Sequence, residues 1–217
     1  MKEDKETRQT LLACAREEFV EKGFKETSLR NICKKAGVTT GALYFFFEDK
    51  EDLFSEVVQG TVSQLTETIA MHFQEEKEEM ERASETAGTV NGTDAEFLGL
   101  TSDSANDLGA TRMLIHCLYQ NKDIAELLAL KSQGTRYEYY VDELVDILES
   151  HYRYLADCIC KVRGITPVSD FLIHWISHEQ IDIFIHLLTH IEREEEALDM
   201  APSIVKILHA SWFGLFD

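Results

Sequence analysis

The sequence predicts an all-α protein, with a small head of three helices over residues 1–48 and a larger helical body over residues 49–217. Three observations lead there. Apolar residues recur at helical spacing along most of the chain, and no segment alternates as a half-buried strand would. Pro167 and Pro202 are the only prolines in 217 residues, which leaves room for long helices. The first fifty or so residues are instead cut into short helical pieces by Gly23 and Gly37.

Each element has its own signals. The first helix reads from about Glu6 to Lys22, with Leu12, Ala15 and Phe19 at helical spacing and Leu11 beside them. Gly23 suits a left-handed C-cap, after which Phe24 folds back onto the core. A second helix begins at Thr27 or Ser28, either of which can cap it, carries Leu29, Ile32 and Cys33 as its apolar stripe, and ends at Ala36-Gly37. A short third helix runs from Thr39, its cap, to about Phe46. The fourth starts at Asp49, with Glu51 and Asp52 in the first turn where the helix dipole favours anions. It continues to about Ala87 or breaks near Gly60, and its distal EEKEEMERASE is polar all round, as an exposed or frayed end would be. Residues 88–109, rich in Gly, Ser, Thr, Asn and Asp, read as a loop with room for a short helix at Glu96 to Leu100. Further helices are expected at about 110–120, 123–132, 135–163, 168–191 and 195–214.

The formal net charge of -19 is unevenly distributed. Residues 1–59 hold 10 Lys/Arg against 12 Asp/Glu, whereas residues 60–217 hold 11 against 28. In the stretch Lys22 to Lys50, the six cations Lys22, Lys25, Arg30, Lys34, Lys35 and Lys50 outnumber Glu26, Glu48 and Asp49, and phosphate binding needs a local positive patch rather than a positive protein. Five cysteines at irregular spacing argue for reduced thiols and a cytoplasmic location. The charged opening MKEDKETRQT is unlike a signal peptide, and no apolar run is long enough to span a membrane. There is no G-x-S-x-G, no phosphate-cradling glycine loop and no HExxH, since Asp182 stands where His178-Glu179 would need a second His. No enzymatic activity, catalytic residue, cofactor or metal is therefore assigned.

The informative segment is TSLRNICKKAGVTTGALYFFFEDKEDLF, residues 27–54. Two short helices joined by a tight turn at Ala36-Gly37-Val38 make a helix-turn-helix, whose second helix enters the major groove of DNA. Gly37 supplies the positive φ of the turn, and Val38 and Leu43 are placed to bury against Leu29 and Ile32. Gly41 and Ala42 are small enough for close backbone approach to DNA, and Thr39 and Thr40 offer hydroxyls and methyls to base edges or phosphates. Tyr44 sits near the phosphates, and Lys50 adds charge to the free amides at the start of the next helix.

These residues resemble the tetracycline-repressor (TetR) family. The match comprises Phe19, Gly23-Phe24, Thr27-Ser28, Ile32, Ala36-Gly37-Val38, Gly41, Leu43-Tyr44, Phe47, Lys50-Glu51 and Leu53, over about residues 8–55. The resemblance implies about nine helices, three that bind duplex DNA and six that form a ligand-binding and dimerisation domain. It names Thr27, Thr39, Thr40, Gly41, Tyr44 and Lys50 as DNA-contact candidates; Thr27 also suits a helix cap, and Tyr44 suits packing between helices. Phe46 departs from the His or Tyr that the family often has there. The reading helix holds no Arg, Asn or Gln, so base readout would lean on Thr methyls, backbone approach and DNA shape.

In the body, the last two helices are apolar nearly all round. Leu172, Trp175, Ile176, Ile183, Leu187, Ile204, Leu208 and Trp212 are expected to form a homodimer interface, though a buried intrachain core would satisfy the same pattern. The resemblance further implies a pocket for a small-molecule effector, with His116, Tyr119, Tyr137, Tyr140 and Tyr154 as candidate lining; the same residues also suit an ordinary core. His174, His178, Asp182, His186 and His190 recur every fourth residue, but the stripe drifts by about 40° per step, so all five cannot meet one ion. The expected function is a ligand-responsive repressor acting as a homodimer on a palindromic operator. The alternative is a small-molecule or metal-binding helical protein with a vestigial DNA-binding head.

Overall fold

The computed structural model describes residues 2–87 and 104–216, and these are helical apart from short connections. The described helices are α1 (Lys2–Glu26), α2 (Leu29–Ala36), α3 (Thr40–Phe46), α4 (Lys50–Ala87), α5 (Ser104–Gln120), α6 (Lys122–Leu130), α7 (Tyr140–Arg163), α8 (Asp170–His190) and α9 (Glu194–Phe213). They form two compact units: Met1–Gln64 with Asn121–Val141, and Leu65–Gln120 with Asp142–Asp217. The sequence reading divides the chain at residues 48 and 49; the head unit also takes in the first turns of α4 and the segment 121–141.

The head is built on one face of α1. Leu11, Ala15 and Phe19, four residues apart, are fully buried, so Leu11 rather than Leu12 continues the stripe. Ile32, Leu43, Phe47, Leu53 and Phe54 complete the core, and Phe19 meets Phe54 edge-on at 5.0 Å. Burial of each such side chain contributes roughly 1.5–3 kcal/mol. Gly23 breaks α1 with φ 74, which lets Phe24 turn back between Phe19 and Phe54. The segment 121–141 docks on α1 through polar links. Arg16 clasps the Asp123 carboxylate at 2.6 and 2.9 Å, the Phe24 amide donates to the Lys131 carbonyl at 3.0 Å, and Lys131 Nζ donates to the Val20 carbonyl at 2.8 Å.

Several boundaries differ from expectation. Asp49 caps α4 by accepting the Asp52 amide at 2.8 Å, and the helix passes Gly60 without a break. Helix α5 begins at Ser104, through residues whose composition suggests loop. The segment expected as helix from residue 135 is instead a turn, because Gly134 has φ 87 and the Thr135 hydroxyl donates to the Ser132 carbonyl. The short helix suggested at Glu96 to Leu100 lies outside the described residues. In the second unit α9 packs on α5 and α8, around Ile115, Ile159, Ile173 and Ile176. No described helix is long and apolar enough to cross a membrane, and all five cysteines are free thiols.

Candidate functional site

The turn between α2 and α3 has the geometry a helix-turn-helix demands. Gly37 takes φ 70, and its amide closes α2 on the Cys33 and Lys34 carbonyls. Val38 donates to the Cys33 carbonyl at 3.0 Å, and Thr39 Oγ1 accepts the Ala42 amide at 3.2 Å, capping α3. Leu43 and Phe47, four residues apart, are buried and pin α3 to the core. Thr39, Thr40, Gly41, Tyr44 and Phe45 are left on the exposed surface, with Tyr44 56% and Phe45 76% exposed. A Cβ on Gly41 would meet nothing in the protein nearer than Thr39 Oγ1 at 3.8 Å, so its smallness answers no internal need. Phe45, missed in the sequence reading, lies off the Leu43–Phe47 face and packs edge-on against Phe46 at 5.0 Å. Its signal was an aromatic one position outside the buried stripe.

Two of the named contacts have other roles. Thr27 is 5% exposed, and its hydroxyl lies 2.7 Å from the Gly23 carbonyl and 3.1 Å from that of Glu18, so it ties α2's entry to α1 instead of facing DNA. Lys50 Nζ donates to the Lys25 carbonyl at 3.2 Å and lies 4.5 Å from the Phe24 ring centroid, where burial lowers its pKa. To reach a phosphate it must leave both. The α4 N-terminus also offers fewer free amides than expected, since Asp49 and Asp52 accept the amides of Asp52 and Glu48.

The head's charge is partly internal. Glu18, fully buried, receives Lys22 at 2.5 Å, Lys35 at 3.0 Å and Asn31 at 3.2 Å. The Lys22 hydrogen bond, reinforced by those of Lys35 and Asn31, outweighs burial and holds the carboxyl down at about 2. Lys22 and Lys35 are thus committed to the fold. Among the described residues, Lys25, Arg30 and Lys34 are exposed and have no ion pair, and Arg30 and Lys34 share one face of α2.

The second unit encloses a cavity of about 360 Å³. Apolar and aromatic side chains, including Phe73, Tyr152, Phe184 and Trp212, make much of its wall. Four of its polar groups come together: His72 and Glu76 from α4, Asp107 from α5 and, hydrogen-bonded to Asp107, His209 from α9. Burial pushes the Asp107 carboxyl up, against the lowering effect of its hydrogen bond with His209. Tyr152 is hydrogen-bonded to Gln180, and burial raises its phenol well above the ordinary value.

The model of bacterial regulatory proteins of the tetR family matches residues 11–57, the span that contains α2, α3 and their turn. The transcriptional regulator AcrR of Shigella flexneri is 48% identical over 65 residues, which are 30% of this chain and 30% of that protein. A TetR-family regulator from Syntrophomonas wolfei has the same fold over 95% of this chain and 96% of its own, with TM-score 0.56 and 21% identity. Residues 11–57 thus carry the helix-turn-helix segment of the tetR family of bacterial regulatory proteins. Another TetR-type relative, the regulator TtgR of Pseudomonas putida, is 27% identical over 171 residues, 76% of this chain and 64% of TtgR. NalD of Pseudomonas aeruginosa, described as the secondary repressor of the MexAB-OprM multidrug efflux pump, shares the fold at TM-score 0.54 and 24% identity, covering 96% of this chain and 97% of its own. The chain thus spans under two thirds of the curated TetR relatives' length: 30% for AcrR and 64% for TtgR.

The pocket residues named from the TetR resemblance do not line the cavity. Tyr137 packs on Phe54, and it and Tyr140 fall in the head unit. His116 is exposed and bound to Glu194 at 2.6 Å, while the Tyr119 hydroxyl lies within 3.0 Å of the Leu187 and Ile191 carbonyls. Tyr154 lies beneath Lys77; Tyr152, two residues earlier and so about 200° round the helix, faces the cavity instead. The expected interface divides as well. Ile176, Leu187, Ile204, Leu208 and Trp212 are buried within the chain itself, whereas Leu172, Trp175 and the half-buried Ile183 keep surface. Phe171 at 72%, Trp175 at 55% and Ile207 at 54% are the large apolar groups most open on α8 and α9.

Proposed function

We propose that this chain is a TetR-family regulator, that it represses transcription as a homodimer bound to a palindromic operator, and that a small molecule in the body cavity releases it. The observation that carries this reading is α3: a short helix pinned by Leu43 and Phe47 that turns Thr39, Thr40, Gly41, Tyr44 and Phe45 outward. Thr methyls and a phenylalanine ring suit thymine methyl groups, and Gly41 permits close backbone approach. Arg30 and Lys34 supply charge for phosphates, with Lys50 able to join once it leaves Phe24. Repression is supported by relatives such as NalD, described as a repressor.

Dimerisation is supported by Phe171, Leu172 and Trp175 on α8 and by Met200 and Ile207 on α9, which leave a large apolar area in water in a single chain. A two-fold pair of such faces would bury it and space two heads along DNA. The cavity suits a mostly apolar organic molecule, and its Glu75, Glu76, Glu79 and Asp107 favour one that is positively charged. Release requires that the effector bind better to the arrangement in which the heads no longer match successive major grooves.

The test is selection of bound duplexes from a random pool at low and then higher salt. An enriched palindrome supports the reading. No enrichment at any salt favours a ligand-binding protein with a vestigial head, a reading that the internal pairing of Lys22 and Lys35 favours.

A further inference from the structure

The cavity wall brings together imidazole and carboxylate groups at metal-ligand spacing. His72 and Glu76 sit four residues apart on α4, and Asp107 faces them from α5. One ligand atom from each of the three lies within 4.8 Å of the others. His72 Nε2 is 3.6 Å from Glu76 Oε2, while His72 Nδ1 is buried without a hydrogen-bond partner among the described residues. Two further histidines stand behind the carboxylates. His151 Nε2 meets Glu76 at 2.7 Å, and His209 Nε2 meets Asp107. The His151 ring is held in place by Phe73, stacked on it at 3.9 Å.

We propose that His72, Glu76 and Asp107 bind a divalent first-row transition-metal ion at the wall of this cavity. Donor type and spacing support it. Zinc takes imidazole nitrogen and carboxylate oxygen at about 2.0–2.2 Å, which puts neighbouring ligands of a tetrahedron about 3.4 Å apart. Reaching that from separations within 4.8 Å asks for side-chain shifts of the order of 1 Å in flexible Glu and His rotamers. One imidazole with two carboxylates favours zinc, iron or manganese over calcium or magnesium, which take oxygen alone. His151 and His209 act as positioning residues: each hydrogen-bonds one of the carboxylates and so orients it, as the outer hydrogen bonds of metal sites do. Three protein ligands leave at least one position open, and these residues line the cavity, so that position is accessible to a small ligand there.

The surface offers a competing set. His174 and His178 lie 4.6 Å apart by ring centroid and His186 and His190 5.3 Å apart, so the test must separate the two. The full chain, stripped with a chelator and desalted, is titrated with Zn²⁺ by calorimetry. The expected result is one tight ion per chain, with affinity lowered by at least about tenfold in His72→Gln and in Asp107→Asn. The quadruple His174→Ala, His178→Ala, His186→Ala, His190→Ala chain should keep that tight site. No tight binding, unchanged binding in His72→Gln and Asp107→Asn, or loss of binding in the quadruple variant would overturn the proposal. Should the cavity variants fail to fold, anomalous scattering at the zinc edge from wild-type crystals decides: a peak among His72, Glu76 and Asp107 supports it, and peaks only on the α8 stripe refute it.

Discussion

Gly23 lies against Lys131: a Cβ added to this glycine would stand 3.1 Å from Lys131 Cβ and 3.2 Å from the Lys131 carbonyl oxygen. The position combines a positive φ with close approach to a backbone from a distant part of the chain. Gly23→Ala should lower stability by about 1–3 kcal/mol, read by urea denaturation followed by circular dichroism. Gly37 has a similar φ but nothing within 4 Å of an added Cβ, so Gly37→Ala should cost only about 1 kcal/mol. Equal losses would mean that the contact with Lys131 contributes nothing.

Thr27 and Thr40, both DNA-contact candidates by the resemblance, should separate cleanly. Thr27→Val removes a buried hydroxyl tied to two carbonyls and should cost about 1–2 kcal/mol of stability, with DNA sequence preference unchanged. Thr40→Ala, on the exposed side of α3, should leave the melting temperature within about 2 °C and alter preference among duplexes. Thermal melts and competition binding on the same preparations check both.

The Glu18 network makes the head sensitive to acid. The carboxyl's pKa is held at about 2, below its unfolded value, so its contribution is complete above the unfolded pKa of roughly 4.5 and is lost as pH falls toward 2. Urea midpoints should therefore drop more steeply between pH 5 and pH 2–3 in the wild type than in Glu18→Gln, whose stability is already reduced at pH 7. Parallel pH profiles would remove Glu18 as the cause.

Salt dependence should sort the lysines by what they touch. Arg30→Ala and Lys34→Ala should each lower the slope of log affinity against log salt by about 1, as loss of one phosphate contact does. Lys22→Ala and Lys35→Ala should leave that slope alone and reduce stability, because both ammonium groups are held by Glu18. Lys50→Ala should fall between, since its ammonium group starts on the Lys25 carbonyl and the Phe24 face.

The head was largely legible in the sequence because its signals are local. Gly37 needs a positive φ, Thr39 caps the helix it precedes, and Leu43 and Phe47 share a face whatever the rest of the chain does. What escaped depended on how α1 and α2 fold against each other. Thr27 reaches the Gly23 and Glu18 carbonyls, four and nine residues back, only once the chain turns at Gly23, and nothing near Lys35 shows that Glu18 waits for it. The body was legible as helices but not as faces. An apolar helix must be covered, yet its pattern does not say whether Trp212 meets its own chain's Tyr152 or a second subunit; the observed contact, at 5.2 Å, is with Tyr152. The His72, Glu76 and Asp107 set was invisible for the same reason, since two residues on α4 meet a third some thirty positions later.

The central claim, that the outward face of α3 reads duplex DNA, is tested most directly by fluorescence anisotropy on the enriched duplex. Wild type is compared with the Thr40→Ala, Phe45→Ala double variant, against a scrambled duplex at equal salt. The account predicts that the double variant folds normally, loses at least about tenfold of its preference for the enriched duplex, and still binds the scrambled one with an unchanged salt slope. Undiminished preference in the double variant would contradict the claim and move the reading surface elsewhere.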